Sequence, residues 1–192
     1  MRIRPPMANT IRYRRLVCCC CSSHPSETLL SLNCLADKLA KPSVFGQIEP
    51  RFLEREHRFA AFLNEIKRQS PSLLLLQEAA IVDYPRLYDS LASELGFDGL
   101  RQSRTTPVPL AAFWKKASFT LTWSEERSRV LICEFKHLPS ATVLYVLNVH
   151  LQGAPDGTTS LTRVSQLHKA LRRLELRLQH TNVRPERAKV RP

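Results

Sequence analysis

The segment Ser72-Leu73-Leu74-Leu75-Leu76-Gln77-Glu78 constrains this chain more than any other. Four leucines in succession, with Pro71 just before them, suit a short strand buried on both faces. Such a strand tolerates a charge only where it leaves the core, so Glu78 is expected at its C-terminal end. Open α/β folds collect their ligands there. A carboxylate at a core edge is costly unless it meets a cation or hydrogen-bond donors. A hard cation such as Mg²⁺ is a natural partner, and a Glu that merely caps the next turn is the plainer alternative.

Two further apolar runs end in the same way. Thr142–Gln152 is rich in β-branched and aliphatic residues and delivers Asn148 and His150 near its end. Residues two apart on a strand share a face, so these side chains are expected to look into one cleft. A hydrogen-bonded structural histidine is the competing reading. Thr28–Asp37 delivers Asn33 after another apolar stretch. Asn33, Glu78, Asn148 and His150 thus form one polar constellation at the ends of three strands.

Between these runs the pattern alternates. Residues 51–69 place Phe52, Phe59, Phe62, Leu63 and Ile66 at helical spacing, which predicts a helix whose stripe packs on the core. Residues 84–95 predict a second helix, with Leu87, Leu91 and Leu95 on one face and Gly96 as its stop. Strands are expected at 97–102, 110–114, 119–123 and 129–136. A last helix runs from about 159 to 179, with Thr159 or Ser160 as its cap. The order β-α-β-α-β-β-β-β-β-α calls for mixed sheets with helices outside.

The net charge of +12 points to nucleic acid only if it is concentrated where a ligand binds. Residues 1–27 hold five Arg and one Glu, and residues 164–192 hold eight Lys or Arg and two Glu. The body between them is nearly neutral. Basic tails contact phosphates without selecting a sequence, and solvated disorder explains them equally well. The domain is therefore expected over 28–180, between a basic, Cys-rich tail at 1–27 and a basic tail at 181–192. Cys18 to Cys21 are consecutive, which suits neither internal disulfides nor a zinc site lacking a second pair. Palmitoylation is one chemical option, and a tail without function is the plainer reading. The Arg-rich first 27 residues loosely fit a transit peptide, which leaves a cytoplasmic location with a mitochondrial alternative. No apolar run is long enough to span a bilayer.

The chain resembles the endonuclease/exonuclease/phosphatase superfamily, also called DNase-I-like. The residues that carry the likeness are Ser31-Leu32-Asn33-Cys34-Leu35-Ala36-Asp37, Leu76-Gln77-Glu78 and Asn148-Val149-His150-Leu151. Ala112-Phe113-Trp114-Lys115-Lys116-Ala117-Ser118-Phe119, Arg58 on the first helix, and Arg163 with Gln166 on the last add to it. The early Asn-x-Leu-Ala-Asp segment is similar to that of carbon-catabolite-repressor-type poly(A) deadenylases and their nocturnin and angel relatives. The resemblance covers residues 28–175 and implies a two-sheet sandwich flanked by helices. It also implies a Mg²⁺-dependent phosphodiesterase of the 3′ exoribonuclease type acting on poly(A)-like RNA. Glu78 would be the metal ligand, His150 a catalytic phosphate contact set in place by Asn148, and Asn33 a substrate-binding residue.

The departures are specific. These enzymes carry a later Asp-x-Asn strand and a C-terminal Asp-His pair, and neither occurs here. The five aspartates are Asp37, Asp83, Asp89, Asp98 and Asp156, and none has that context. Pro71-Ser72 stands where Pro-Asp is usual, and Pro109-Leu110-Ala111 where Gly-Cys is common. The expectation is an incomplete domain, its C-terminal half missing, with an apolar sheet face left partly uncovered and marginal stability as the consequence. A non-catalytic RNA- or partner-binding remnant and a phosphatase of the same superfamily stand as alternatives. Arg163 and Gln166 are expected to be structural, and Trp114 and Trp123 to be core rather than base-stacking platforms.

Overall fold

A computed structural model of the chain describes residues 14–16, 27–80, 83–103, 109–151, 153 and 160–182. The leucine run is the strand β3 (Leu73–Gln77), and Leu73, Leu74 and Leu76 are fully buried. Its two faces meet different partners. Leu74 and Leu76 pack under helices, whereas Leu73 and Leu75 face a second sheet. Burying one such leucine stabilises the fold by about 1.5–3 kcal/mol, which accounts for an unbroken apolar run in place of alternation.

β3 lies at the centre of a five-stranded sheet in the order β1-β2-β3-β5-β4. The other members are β1 (Arg14–Leu16), β2 (Glu27–Asn33), β4 (Phe97–Arg101) and β5 (Ala111–Lys115). β2 runs parallel to β3, and the remaining pairings are antiparallel. A three-stranded antiparallel sheet holds β6 (Phe119–Arg127), β7 (Val130–His137) and β8 (Val143–Val149). The inner faces meet through Leu73, Leu75, Ala112 and Trp114 on one side and Phe119, Leu131, Phe135 and Val146 on the other.

Four helices complete the layers: α1 (Pro50–Leu53), α2 (Arg55–Gln69), α3 (Tyr84–Leu95) and α4 (Ser160–Asn182). Ile66 of α2 and Leu87 and Leu91 of α3 cover the outer face of the larger sheet. Ala170 of α4 packs on Val130 and Ile132 of the smaller one. The result is the expected two-sheet sandwich flanked by helices.

Several boundaries differ from the sequence reading. The helix expected over 51–69 is broken at Glu54, whose extended ψ of 136° separates α1 from α2. α3 by contrast stops at Gly96 as expected, where glycine takes the left-handed φ of 68° without penalty. β6 continues to Arg127 past a register shift between Leu121 and Trp123, a bulge that hid its period. β7 is buried over Val130–Phe135 because the sandwich core covers one face and α4 the other. The larger sheet reaches back into the segment expected as a tail, since Arg14–Leu16 pair with Glu27–Leu29. Residues 1–13, the Cys18–Cys21 run and residues 183–192 lie outside the described residues. The expected last helix runs on from Ser160 to Asn182 and carries part of the basic C-terminal charge. Trp114 is buried in the sandwich, and Trp123 is half-buried beneath the Arg177 guanidinium. The inner faces cover one another, and the exposed large apolar residues include Leu161, Val164 and Leu171 on α4. Among the described residues no helix is long and apolar enough to cross a membrane.

Candidate active site

Parallel pairing of β2 with β3 makes Asn33 and Gln77 register partners, so both strands end at one level. The Cys34 N–H donates to the Gln77 carbonyl at 2.9 Å and closes the pairing. Glu78 then leaves β3 in the left-handed region, with φ 57°, an uncommon conformation for a residue with a side chain. Its carboxylate lies over the end of β2. Asn33 Nδ2 donates to Glu78 Oε1 at 2.9 Å, and the Ala36 N–H donates to Oε2 at 2.8 Å. The Asn33 Oδ1 accepts the Leu35 N–H at 2.8 Å, which fixes the amide orientation and the turn after β2.

His150 approaches from the other sheet. Its N–H donates to the Arg129 carbonyl at 3.0 Å, and its Nε2 lies 3.3 Å from Glu78 Oε1. Glu78 is 6% exposed, and the His150 side chain 28%, so the imidazole faces the solvent side of the pair. Burial raises the Glu78 pKa, but hydrogen bonds from His150, Asn33 and the Ala36 N–H outweigh it. The carboxyl group is held at about 2 and stays ionised at neutral pH. The neighbouring Cys34 thiol is pushed up to about 12 by burial and by the Glu78 charge, and is therefore neutral.

Asn148 shares the inner face with His150 but does not reach the cleft. It is 1% exposed, and its Nδ2 donates to the carbonyls of Leu76 and Ala111 at 2.8 and 2.9 Å. Gln77 Nε2 donates to Asn148 Oδ1 at 2.7 Å and to Ser31 Oγ at 3.1 Å. Asn148 therefore ties the two sheets together two residues before His150. A ligand in the cleft cannot touch it in this arrangement.

A cavity of about 60 Å³ adjoins the carboxylate, lined by Ala36, Asp37, Arg55, Arg58, Glu78 and Asp83 among others. Arg58 donates to the Leu35 carbonyl and pairs with Asp37, while Arg55 pairs with Asp83. These pairs brace the turn that presents the Ala36 N–H. Gln77 and Ala36 are the site residues that pattern reading did not pick out as functional. Gln77 carried a faint signal as an amide closing an apolar run, whereas a backbone N–H carries none.

Two facing sheets between helices, with the polar cluster at their strand ends, make a DNase-I-like fold. Solved structures agree. ANGEL2, a 2′,3′-cyclic phosphatase solved in complex with adenosine-2′,3′-vanadate, matches at a TM-score of 0.59 and 22% identity over 71% of this chain. The human nocturnin catalytic domain with bound sulfate matches at 0.59 and 19% identity over 88%. Humanized D. rerio TDP2 matches at 0.56 and 16% identity over 77%. The chain spans 44% of the ANGEL2 chain and 65% of the nocturnin chain. No protein-family model matches the sequence, and no curated protein does.

Proposed function

We propose that the Asn33–Glu78–His150 cluster is the phosphate end of a divalent-metal-dependent phosphodiesterase, with Mg²⁺ as the ion and the 3′ end of a poly(A)-like RNA as substrate. One observation carries this reading: three strand ends converge on a carboxylate kept ionised against burial. The donor set suits a hard cation, since Mg²⁺ takes one or two carboxylates and completes its shell with water and phosphate oxygens. Glu78 would hold the ion, and Asn33 would support its water or the phosphate. When bound, the ion supplies positive charge that polarises a phosphoryl oxygen. His150 directs Nε2 at Glu78 from the exposed side, and would donate to a phosphate oxygen once an ion takes up the carboxylate. Asn148 acts on the substrate only through His150, by fixing the strand that carries it. ANGEL2's complex with an adenosine vanadate makes an RNA terminus bearing a 2′,3′-cyclic phosphate a second substrate to assay.

A second reading keeps the binding and drops the turnover. Among the described residues no group of three His, Cys, Asp or Glu is arranged to hold a metal. Among the described residues Glu78 is the carboxylate that touches His150, and none supplies a further base to activate a nucleophile. The chain would then bind RNA or a partner without cleaving it.

The test pairs ion binding with turnover. Mn²⁺ binding, read by water-proton relaxation, is expected in the native chain and lost in Glu78→Gln. Oligo(A) and cyclic-phosphate-ended RNA are then incubated with and without Mg²⁺. Product that depends on both Mg²⁺ and Glu78 supports the enzyme. Ion and RNA binding without product supports the second reading. Equal Mn²⁺ affinity in a folded Glu78→Gln variant overturns both.

A further inference from the structure

A second cleft, of about 840 Å³, opens between the β6–β7 turn and α4. Its wall carries Arg127, Arg129, His168, Lys169, Arg172 and Arg173, and no carboxylate lines it among the described residues. Glu125 pairs with Arg127 at 3.2 Å and with Arg173 at 2.7 Å, and it holds both guanidinium groups at the cleft edge. Two arginines and one glutamate still leave positive charge there, to which Arg129, Lys169 and Arg172 add. Lys169 and Arg172 are exposed. Part of the chain's basic excess is thus not a tail but one face of a helix placed against a hairpin.

The cleft wall adjoins the end of β8, next to His150. Val130 pairs with Val149, and the Arg129 carbonyl accepts the His150 N–H, so the hairpin turn and His150 occupy the same end of the smaller sheet. The geometry points to a subsite for the sugar–phosphate backbone of a single nucleic-acid strand, one phosphate of which lies at Glu78 and His150. This rests on the function proposed above for that cluster. Cations spread along a concave wall suit a chain of evenly spaced charges, and a concave cleft suits a strand better than a bilayer plane. Apart from His168, no aromatic ring lines the cleft among the described residues. Bases therefore have no stacking platform, and the subsite holds backbone without reading sequence.

Fluorescence anisotropy of the full chain with labelled single-stranded oligonucleotides, in EDTA so that nothing is cleaved, tests this. Affinity is expected to rise with length beyond a dinucleotide and to be similar for oligo(A) and oligo(U). The double variant Lys169→Glu/Arg172→Glu should bind a long oligonucleotide at least about tenfold more weakly. Its log–log salt slope should be shallower by roughly 1–1.5, at about 0.7 per lost phosphate contact. The charge-matched control Arg184→Glu/Arg187→Glu should stay close to the native value. Equal losses in the two variants, no loss in the first, or no dependence on length would each overturn the subsite. Variant-sensitive binding to phosphatidylserine vesicles with none to oligonucleotides would overturn it in favour of a membrane surface. Lys169→Glu/Arg172→Glu should keep native Mn²⁺ affinity, so failure of the ion-binding reading registers separately in the Mn²⁺ measurement on Glu78→Gln.

Discussion

Replacing Asn148 tests whether the sheets are held in register by hydrogen bonds or by packing alone. The Lys115 N–H donates to the Ser72 carbonyl, and antiparallel pairs alternate in type. Leu76 and Ala111, four residues along from that pair on each strand, are therefore a hydrogen-bonded pair. Their carbonyls keep ladder partners, and Asn148 Nδ2 uses a further lone pair on each. Asn148→Leu forfeits those two bonds and the one accepted from Gln77, while Gln77 keeps Ser31. At about 1 kcal/mol net for each buried bond, the loss is about 2–4 kcal/mol, large against a total stability of about 5–15 kcal/mol. Asn148→Asp has nearly the same shape but turns an oxygen toward two carbonyl oxygens and buries a charge. It should cost more than Asn148→Leu. Urea unfolding followed by circular dichroism gives both values, provided the slope with denaturant is unchanged. An Asn148→Leu variant within about 0.5 kcal/mol of native, at the edge of what surface substitutions do, would refute the inter-sheet tie. Leu costing more than Asp would assign the effect to shape.

Two other perturbations follow from single contacts. Gly99 lies opposite Phe113, and a Cβ there would sit 2.5 Å from a buried ring already wedged against Tyr84 and Tyr88. Gly99→Ala should therefore cost about 1–3 kcal/mol by overpacking, seen as a lowered unfolding midpoint, and a neutral result would mean the ring has room to move. Arg177 donates to both oxygens of the largely buried Glu134 and, with Thr122, holds its carboxyl below the usual range. A carboxyl lowered in the folded state contributes stability above its unfolded value, and this is lost as pH falls through the folded one. Arg177→Met should cost about 1.5–3 kcal/mol near neutral pH, and the gap to native should narrow on acidification. A gap that is constant with pH would assign the loss to Trp123 packing instead.

Residues whose surroundings are local were legible, and those tied to distant partners were not. β3 is readable because burial on both faces forces apolar residues at consecutive positions, so its end, and with it Glu78, could be placed. His150 and Asn33 followed because each closes an apolar strand of its own. The Gln77–Asn148 tie joins residues 71 apart, and nothing in either neighbourhood states that the two sheets meet there. Asn148 looked like a cleft residue because strand periodicity gives the face but not the depth along it. The break at Glu54 and the bulge in β6 were missed because one residue leaving the regular conformation shifts a phase without erasing the apolar count. The charge of residues 164–192 was read as that of a basic tail, although a helix was expected over 159–179, because charge counts do not say which element carries the charge. α4 sets Lys169 and Arg172 beside the β6–β7 turn.

The treatment of Glu78 is difficult to explain by stability alone. Burial favours its neutral form, yet three separate elements supply hydrogen bonds that hold it ionised at about 2: the end of β2, the turn at Ala36 and the residue after β8. Its backbone also sits at a φ of 57°, unusual for a residue with a Cβ. A glutamine would avoid burying a charge, but its one carbonyl oxygen could accept from only one of the Asn33 and Ala36 donors and its NH2 would face the other. Strain and buried charge gathered on one residue at a strand end are where sites bind ligands at the expense of folding. If Glu78 serves only the fold, Glu78→Gln should destabilise the chain and leave cation affinity unaltered. If it serves the site, Mn²⁺ binding should disappear with the same substitution, whatever the mismatched donor costs in stability. The two readings part on cation binding in one variant, and it is the carboxylate's charge that the surrounding hydrogen bonds keep.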